Sequence, residues 1–304
     1  MDLQSKFLGA MLGCGVGDAI GEMAFSHRDP TRLRDVVGRR ERLTYTDDTA
    51  MMMGLAESLV ARGKVDPQHL GETFRANYER EPWRGYGMGP PSIFQRVARE
   101  GVSYTEAASE LFDGEGSYGN GAAMRVTPVG LFFCDADDLY AQVRRSASVT
   151  HTHPLAVDGA ALIAWAVAHV VKISPETPFD RAAFVEGLTS FARTEVFRSQ
   201  LGEMKLALDQ SLPTLVVGAR LGSGVAAHRS VSFALYAFAR HPTDFAECLF
   251  CAALHSGDRD TVAAMAGAIS GAYLGVEAIP AAWRQKLEHA DKIEALALAL
   301  YESS

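Results

Sequence analysis

Cysteine is scarce in this 304-residue chain, which has only Cys14, Cys134, Cys248 and Cys251. A single C-x-x-C pair, Cys248 and Cys251, makes neither a zinc ribbon, which needs a second pair, nor a redox motif, which needs a neighbouring strand–helix signal. The pair sits in the apolar run 246–254 and reads as buried helix in a reducing compartment. Positive charge is not in excess: 29 Lys and Arg against 37 Asp and Glu give a net charge of -8. That balance argues against a general binder of nucleic acid or of a membrane surface, either of which needs a basic stripe. Long apolar runs are missing, since residues 8–16 are soon followed by Asp18, so no membrane span is expected. Residues 1–6 lack a basic segment leading into an apolar core and a cleavage site, and a cytoplasmic location is expected. Strand alternation, low-complexity tracts and a regular repeat period are also lacking.

Helical periodicity fills the space left. Val157, Ala160, Ala161, Ala164, Trp165 and Ala168 recur on one face of a long buried helix. Similar patterns place helices near 49–62, 66–79, 135–149, 180–193, 229–240, 244–254, 260–275 and 287–302. Alanine and glycine at inward positions let helices approach closely. The expected architecture is all-α: one compact orthogonal helical bundle over residues 1–304, with short loops from distant parts of the chain meeting at a cleft.

Two acidic clusters stand where helices should start. Thr46-Asp47-Asp48-Thr49 precedes an apolar run from Ala50, and Asp258-Arg259-Asp260-Thr261 precedes one from Val262. Either cluster alone reads as a helix cap. A cap needs one side chain, however, and each cluster brings two carboxylates and a hydroxyl. Adjacent carboxylates repel, and a cation resolves their burial. All-oxygen donors of this kind suit Mg²⁺ or Mn²⁺, and if the two helix starts face each other they could hold two ions.

Between the clusters, Gly114-Glu115-Gly116-Ser117-Tyr118-Gly119-Asn120-Gly121 opens a helix-like run. It matches neither a phosphate loop of the G-x-x-x-x-G-K-[ST] type nor a dinucleotide fingerprint. A flexible turn and an anion-binding loop fit it equally, and the latter would use exposed amides and a helix N-terminus. Tyr118 and Phe112 offer faces for a base or for simple core packing.

Taken in order, Gly17-Asp18-Ala19-Ile20-Gly21, Tyr45-Thr46-Asp47-Asp48-Thr49-Ala50, Arg84-Gly85-Tyr86-Gly87, the Gly116–Arg125 segment, Thr150-His151-Thr152-His153 and Gly257-Asp258-Arg259-Asp260-Thr261 resemble the ADP-ribosylglycohydrolase family. The glycine-rich loop looks most like the branch that includes the serine-ADP-ribose hydrolases. The resemblance implies an all-helical hydrolase that releases ADP-ribose from ADP-ribosylated substrates with a Mg²⁺ pair. It implies Thr46, Asp47, Asp48, Asp258, Asp260 and Thr261 as metal ligands. Gly116, Ser117, Tyr118, Gly119, Asn120 and Gly121 would hold the diphosphate and distal ribose, Gly85 and His151 would line the cleft, and Phe112 would stack on adenine.

Three positions depart from the pattern. Phe25 stands where a glutamate is usual, which leaves Asp18, Glu22, Asp47 and Asp48 as candidates for proton transfer. Arg259 replaces a threonine between the two ligand aspartates, and Ser256 replaces a glycine. The loss at Phe25 also allows an alternative, a non-catalytic ADP-ribose binder on the same scaffold. The acceptor linkage is not legible.

Overall fold

The computed structural model describes residues 2–304, which form helices joined by short loops. The chain runs through α1 (Leu3–Ser26), α2 (Pro30–Arg39), α3 (Asp47–Arg62), α4 (Pro67–Arg80), α5 (Gly89–Glu100) and α6 (Tyr104–Ser109). Two short helices, α7 (Gly121–Met124) and α8 (Thr127–Phe132), lead to α9 (Leu139–Ala147) and the long α10 (Pro154–Val170). Next come α11 (Arg181–Phe191), α12 (Glu195–Asp209), α13 (Thr214–Leu221), α14 (Val231–Arg240) and α15 (Phe245–His255). The last three are α16 (Arg259–Leu274), α17 (Ala281–Lys286) and α18 (Ala290–Ser303). Among the described residues there is no strand, only two isolated bridges, Leu43 with Leu287 and Gly119 with Ala226. The all-α reading is borne out.

Single aspartates start many of these helices. Asp29, Asp66, Asp180 and Asp244 each accept an amide hydrogen bond from the third residue on, at 2.8, 3.1, 2.9 and 3.0 Å. That satisfies one of the orphan donors at a helix N-terminus, and one carboxylate is enough.

Glycines four apart set the central contact. Gly9, Gly13 and Gly17 on α1 face Gly271, Gly267 and Ala263 on α16, so the two helices run antiparallel. A methyl group on Gly13 would fall 2.3 Å from the Gly267 carbonyl oxygen, and one on Gly17 would fall 2.1 Å from that of Ala263. No side chain fits there, and the backbones touch. One consequence is functional: the middle of α1, with Asp18, is pressed against the N-terminal turn of α16, with Asp258 and Asp260.

The core is continuous from Phe7 to Leu300, with α10 buried along most of its length. Helix α1 corrects one expectation. It is long and apolar enough to cross a membrane by length and composition, but 83% of its apolar window is buried inside the protein. Cys248 and Cys251 are buried on α15 with free thiols, as their apolar setting implied.

Candidate active site

The N-cap residues of the two acidic clusters do not cap their own helices, although Asp260 accepts the neighbouring Thr261 amide at 2.9 Å. Neither Thr46 at the start of α3 nor Asp258 at the start of α16 makes a side-chain cap bond. The cap of α3 comes from another helix. Asp18 on α1 accepts the amides of Thr46 and Thr49, both at 3.0 Å to Oδ2, and their hydroxyls at 2.8 Å to Oδ1 and 2.6 Å to Oδ2. Both Asp18 oxygens are therefore committed, and the residue is fully buried. Its carboxyl is pushed up by burial, against the pull of the threonine donors.

Relieved of capping, Asp47 and Asp48 are free to face the other cluster. Thr261 donates to Asp48 Oδ2 at 3.4 Å, and the Thr46 hydroxyl, whose one hydrogen goes to Asp18, lies 3.2 Å from the same oxygen, so α3 and α16 meet at one carboxylate. Asp48 Oδ1 is buried without a hydrogen-bond partner. Across the site, Asn120 donates to Asp258 Oδ2 at 2.6 Å and to Ser230 at 3.2 Å, which ties the glycine-rich segment to the second cluster.

So much negative charge in so little water is unfavourable. Burial first, then Asp18 and Asp258, push Asp47 up to about 7. Burial and the Asp258 and Asp18 charges push Asp260 up to about 8. Asp48 is pushed well above the carboxylate range by burial, then by Asp18, Asp260, Asp47 and Asp258. Among the described residues no three acidic, His or Cys side chains already close into a metal cage. Their present links run through threonine hydroxyls and the Asn120 amide instead. The orphaned Asp48 oxygen, the raised carboxyls and the all-oxygen donor set nevertheless fit a hard divalent cation.

A cavity of 430 Å³ opens over this centre, lined by Glu22, Thr46, Asp47, Trp83, Gly85 and Asp260. Gly85, at φ 91°, takes a conformation that disfavours a side chain. A methyl there would sit 3.8 Å from Asp47 Oδ1. Its loop is clamped by buried Arg84, which pairs with Glu81 at 3.0 Å and Glu288 at 2.7 Å and donates to the Tyr45 carbonyl at 3.1 Å. Neither this clamp nor Thr49 had been singled out for a role from sequence. Arg84 lay in a quoted motif, but Glu288 carries no local signal.

The glycine-rich segment is shaped by His151 and Thr152. A methyl on Gly121 would lie 2.8 Å from His151 Cε1, and one on Gly116 would lie 2.0 Å from Thr152 Oγ1. The Asn120 amide donates to Val225 and the Gly119 amide to Ser117 Oγ, at 2.9 and 3.2 Å. Among the described residues the amides of Ser117 and Tyr118 have no acceptor, so two consecutive N–H groups are available to an anion. Helix α7 is a single turn, so the expected contribution of a helix dipole is small. Tyr118 is half exposed and edge-on to His153, while Phe112 is 63% exposed at φ 55°. Neither is core packing.

Behind His151 lies fully buried Arg125. Arg125 donates to Thr150 Oγ1 at 2.7 Å, and Thr150 Oγ1 is 2.7 Å from His151 Nδ1. A guanidinium only donates, so the Thr150 hydroxyl accepts from it, and we assign the hydroxyl's own hydrogen to a bond with Nδ1, the arrangement that leaves Nδ1 an acceptor. Nε2 then carries the ring proton and faces Gly119 and Gly121. Burial, then the Arg125 charge, holds His151 down at about 3, so the ring stays neutral.

The remaining departures are structural. Arg259 donates to the Ala253 carbonyl at 2.6 Å, capping the end of α15, and Ser256 donates to Ala252 at 2.7 Å. Phe25 is 39% exposed on the last turn of α1.

Residues 1–304 match the family model of ADP-ribosylglycohydrolase. The chain belongs to the ADP-ribosylglycohydrolase family. Its relatives include ADP-ribosylhydrolase ARH3 of Gallus gallus, 33% identical over 98% of this chain and 93% of that protein. ADP-ribosylhydrolase ARH3 of Homo sapiens is 32% identical over 98% and 93%. A solved structure described as an ADP-ribosylglycohydrolase-related protein complex superposes with a TM-score of 0.73 at 28% identity, covering 100% of this chain and 99% of its own. Membership makes this ADP-ribosylglycohydrolase an enzyme, a hydrolase of the glycosidase class. The family and branch named from the ordered motifs are both borne out.

Proposed function

We propose that the protein hydrolyses the glycosidic bond between ADP-ribose and its acceptor, releasing ADP-ribose, with two Mg²⁺ ions bound at the converging clusters. Mn²⁺ would satisfy the same donors. The observation that carries this reading is the meeting of Thr46, Asp48 and Thr261 at one oxygen beside an unpartnered one. Thr46, Asp47 and Asp48 from α3 and Asp258, Asp260 and Thr261 from α16 would hold the ions. When bound, they would supply Lewis acidity and orient the distal ribose.

The chain's own groups account for the rest. Ser117 and Tyr118 amides receive the diphosphate, and the His151 Nε2–H, which faces Gly119 and Gly121, is placed to donate to the same ligand. Asn120 fixes that segment to Asp258, and Gly85 keeps the cleft open above Asp47. Tyr118 and exposed Phe112 are placed to stack on adenine.

Proton transfer falls to Glu22. It lies on the exposed side of α1 and lines the cleft with Asp47 and Asp260. Asp18, a candidate for this role from sequence, has no oxygen to spare and acts as a positioning residue. Asp48, fully buried, is better suited to ligation than to exchange with substrate. The four free thiols support the cytoplasmic location expected from sequence.

The test is ADP-ribose release from ADP-ribosylated arginine, serine and nucleic-acid substrates, with Mg²⁺ and with EDTA. Asp48→Ala and Asp258→Ala should each abolish Mg²⁺-dependent release in a folded protein. Near-normal turnover in either variant would remove the two-cluster assignment. Tight Mg²⁺-dependent binding of ADP-ribose without turnover on any substrate would instead make the protein a reader.

A further inference from the structure

On the far side of the His151–Thr152 wall from the glycine-rich segment, a second cavity of 550 Å³ is lined by Arg144, Arg145 and Arg193 together with Tyr140, Ser148 and Thr152. No carboxylate lines it, in a chain whose net charge is -8. Other arginines of this protein, Arg34, Arg42, Arg84, Arg96 and Arg198, pair with carboxylates. Among the described residues Arg144, Arg145 and Arg193 pair with none.

Nor are these three guanidiniums placed at random. Arg193 lies 3.6 Å over the Tyr140 ring, which holds its planar group in place. Asp158, hydrogen-bonded to residues of the cavity wall, is fully buried. It accepts the amides of Arg193 at 3.0 Å and Thr194 at 2.8 Å, the Thr194 hydroxyl at 2.6 Å and the Tyr140 hydroxyl at 3.3 Å. Its oxygens are taken up by the scaffold, and its single charge is outnumbered at the cavity by three guanidiniums.

We propose that this cavity binds a phosphate-bearing ligand, as an anion site separate from the carboxylate cleft. Planar guanidiniums flanked by hydroxyls match phosphate oxygens in geometry and charge. No residue of the acidic clusters, and neither Phe112 nor Tyr118, lines the cavity. It shares only the His151–Thr152 wall with the glycine-rich segment. The phosphate belongs either to a free species or to a neighbouring unit of a longer nucleotide substrate, because both present the same group at that wall.

The experiment titrates the full chain with pyrophosphate in EDTA, where the metal cluster contributes nothing. The unsubstituted protein, Arg193→Gln and the double variant Arg144→Gln/Arg145→Gln are compared, with melting temperatures as a folding control for these exposed positions. Saturable binding that weakens at least tenfold in both variants, with unchanged melting, is the expected result. Absent binding, or equal affinity in all three proteins, overturns the proposal. If the variants raise KM for poly(ADP-ribose) but not for a singly ADP-ribosylated peptide, the phosphate comes from the neighbouring unit. If pyrophosphate binding is lost while both KM values hold, it comes from a free species. The titration stands whether or not the protein turns over any of these substrates.

Discussion

The Thr49 hydroxyl donates to Asp18 Oδ2 at 2.6 Å, from the first turn of α3 to the middle of α1. This bond and its neighbours let one helix cap another, leaving Asp47 and Asp48 free of local duty. Asp18→Asn keeps one acceptor oxygen but turns an amide towards threonine donors. The expected loss is about 3 kcal/mol of stability, from buried groups left unpaired, and Mg²⁺ affinity should fall with it. Glu22→Gln, at an exposed position, should leave melting within about 1 °C and lower kcat by roughly 10²–10⁴-fold. Thermal melts, Mg²⁺ titrations and kcat on both variants separate positioning from proton transfer. A Glu22→Gln enzyme with full kcat would leave the assignment of Glu22 without support.

The α1–α16 contact makes the site sensitive to a single methyl group far from any substrate. Gly17→Ala would place a carbon 2.1 Å from the Ala263 carbonyl oxygen, so the two backbones must part. Overpacking of this kind costs about 1–3 kcal/mol, and separating Asp18 from α16 should weaken Mg²⁺ binding as well. Gly38→Ala is the control. It lies in helix α2, and nothing stands within 4 Å of the added methyl. There the change should be neutral or stabilising by up to about 1 kcal/mol. Equal melting and equal Mg²⁺ affinity in the two variants would show that the glycine contact does not set the site.

Much of this was legible in the sequence because the fold repeats a few local rules. The pattern near 66–79 became α4 (Pro67–Arg80), which carries a clear apolar face and a starting signal, and that near 260–275 became α16 (Arg259–Leu274), which is buried on nearly every side but is announced by the acidic cluster at its start. Helix α1 was not marked. It is buried on nearly every side, so its pattern has no polar face to give it a period. Helix α12 was also missed, although Phe197, Leu201, Met204 and Leu208 do recur at helical spacing. The acidic clusters announced a charge problem, yet the release of the first from capping depends on Asp18, some thirty residues away, which no local spacing reveals. Likewise Glu288 reaches Arg84 only once α18 has brought its preceding turn back to α3.

Stability against pH should show the clusters directly. Asp47 and Asp260 rise on folding from about 4 to about 7 and about 8, so the metal-free folded state holds extra protons. Their contribution is complete at low pH and is lost as pH rises through those values. His151 runs the other way: held down at about 3, it contributes stability above about 6.5 and loses it as pH falls. Between pH 4 and 6.5 the two effects oppose each other, and from 6.5 to 8.5 the carboxylates act alone of these groups. In EDTA the melting temperature should therefore fall by about 5 °C or more across that upper window. Mg²⁺ binds the deprotonated form, so its stabilising effect should grow over the same range. A flat profile in EDTA, or an equal Mg²⁺ effect at both ends, would contradict the electrostatics of the site.

The Arg125–Thr150–His151 relay predicts a tautomer that nitrogen NMR can read. With Arg125 donating to Thr150 and Thr150 donating to Nδ1, the His151 ring should show an unprotonated Nδ1 and a protonated Nε2 that does not titrate between pH 5 and 8. Thr150→Val removes both the acceptor for Arg125 and the donor to Nδ1. The ring then loses its fixed orientation, the nitrogen shifts should average between the two neutral forms, and ADP-ribose affinity should fall about tenfold, the value of one lost hydrogen bond to an anion. Thr150→Ser retains the hydroxyl and should restore both the shifts and the affinity, which a purely space-filling role for Thr150 would not require. A protonated Nδ1 in the unsubstituted protein would reverse the direction of the relay and remove His151 Nε2 as a donor to bound ADP-ribose.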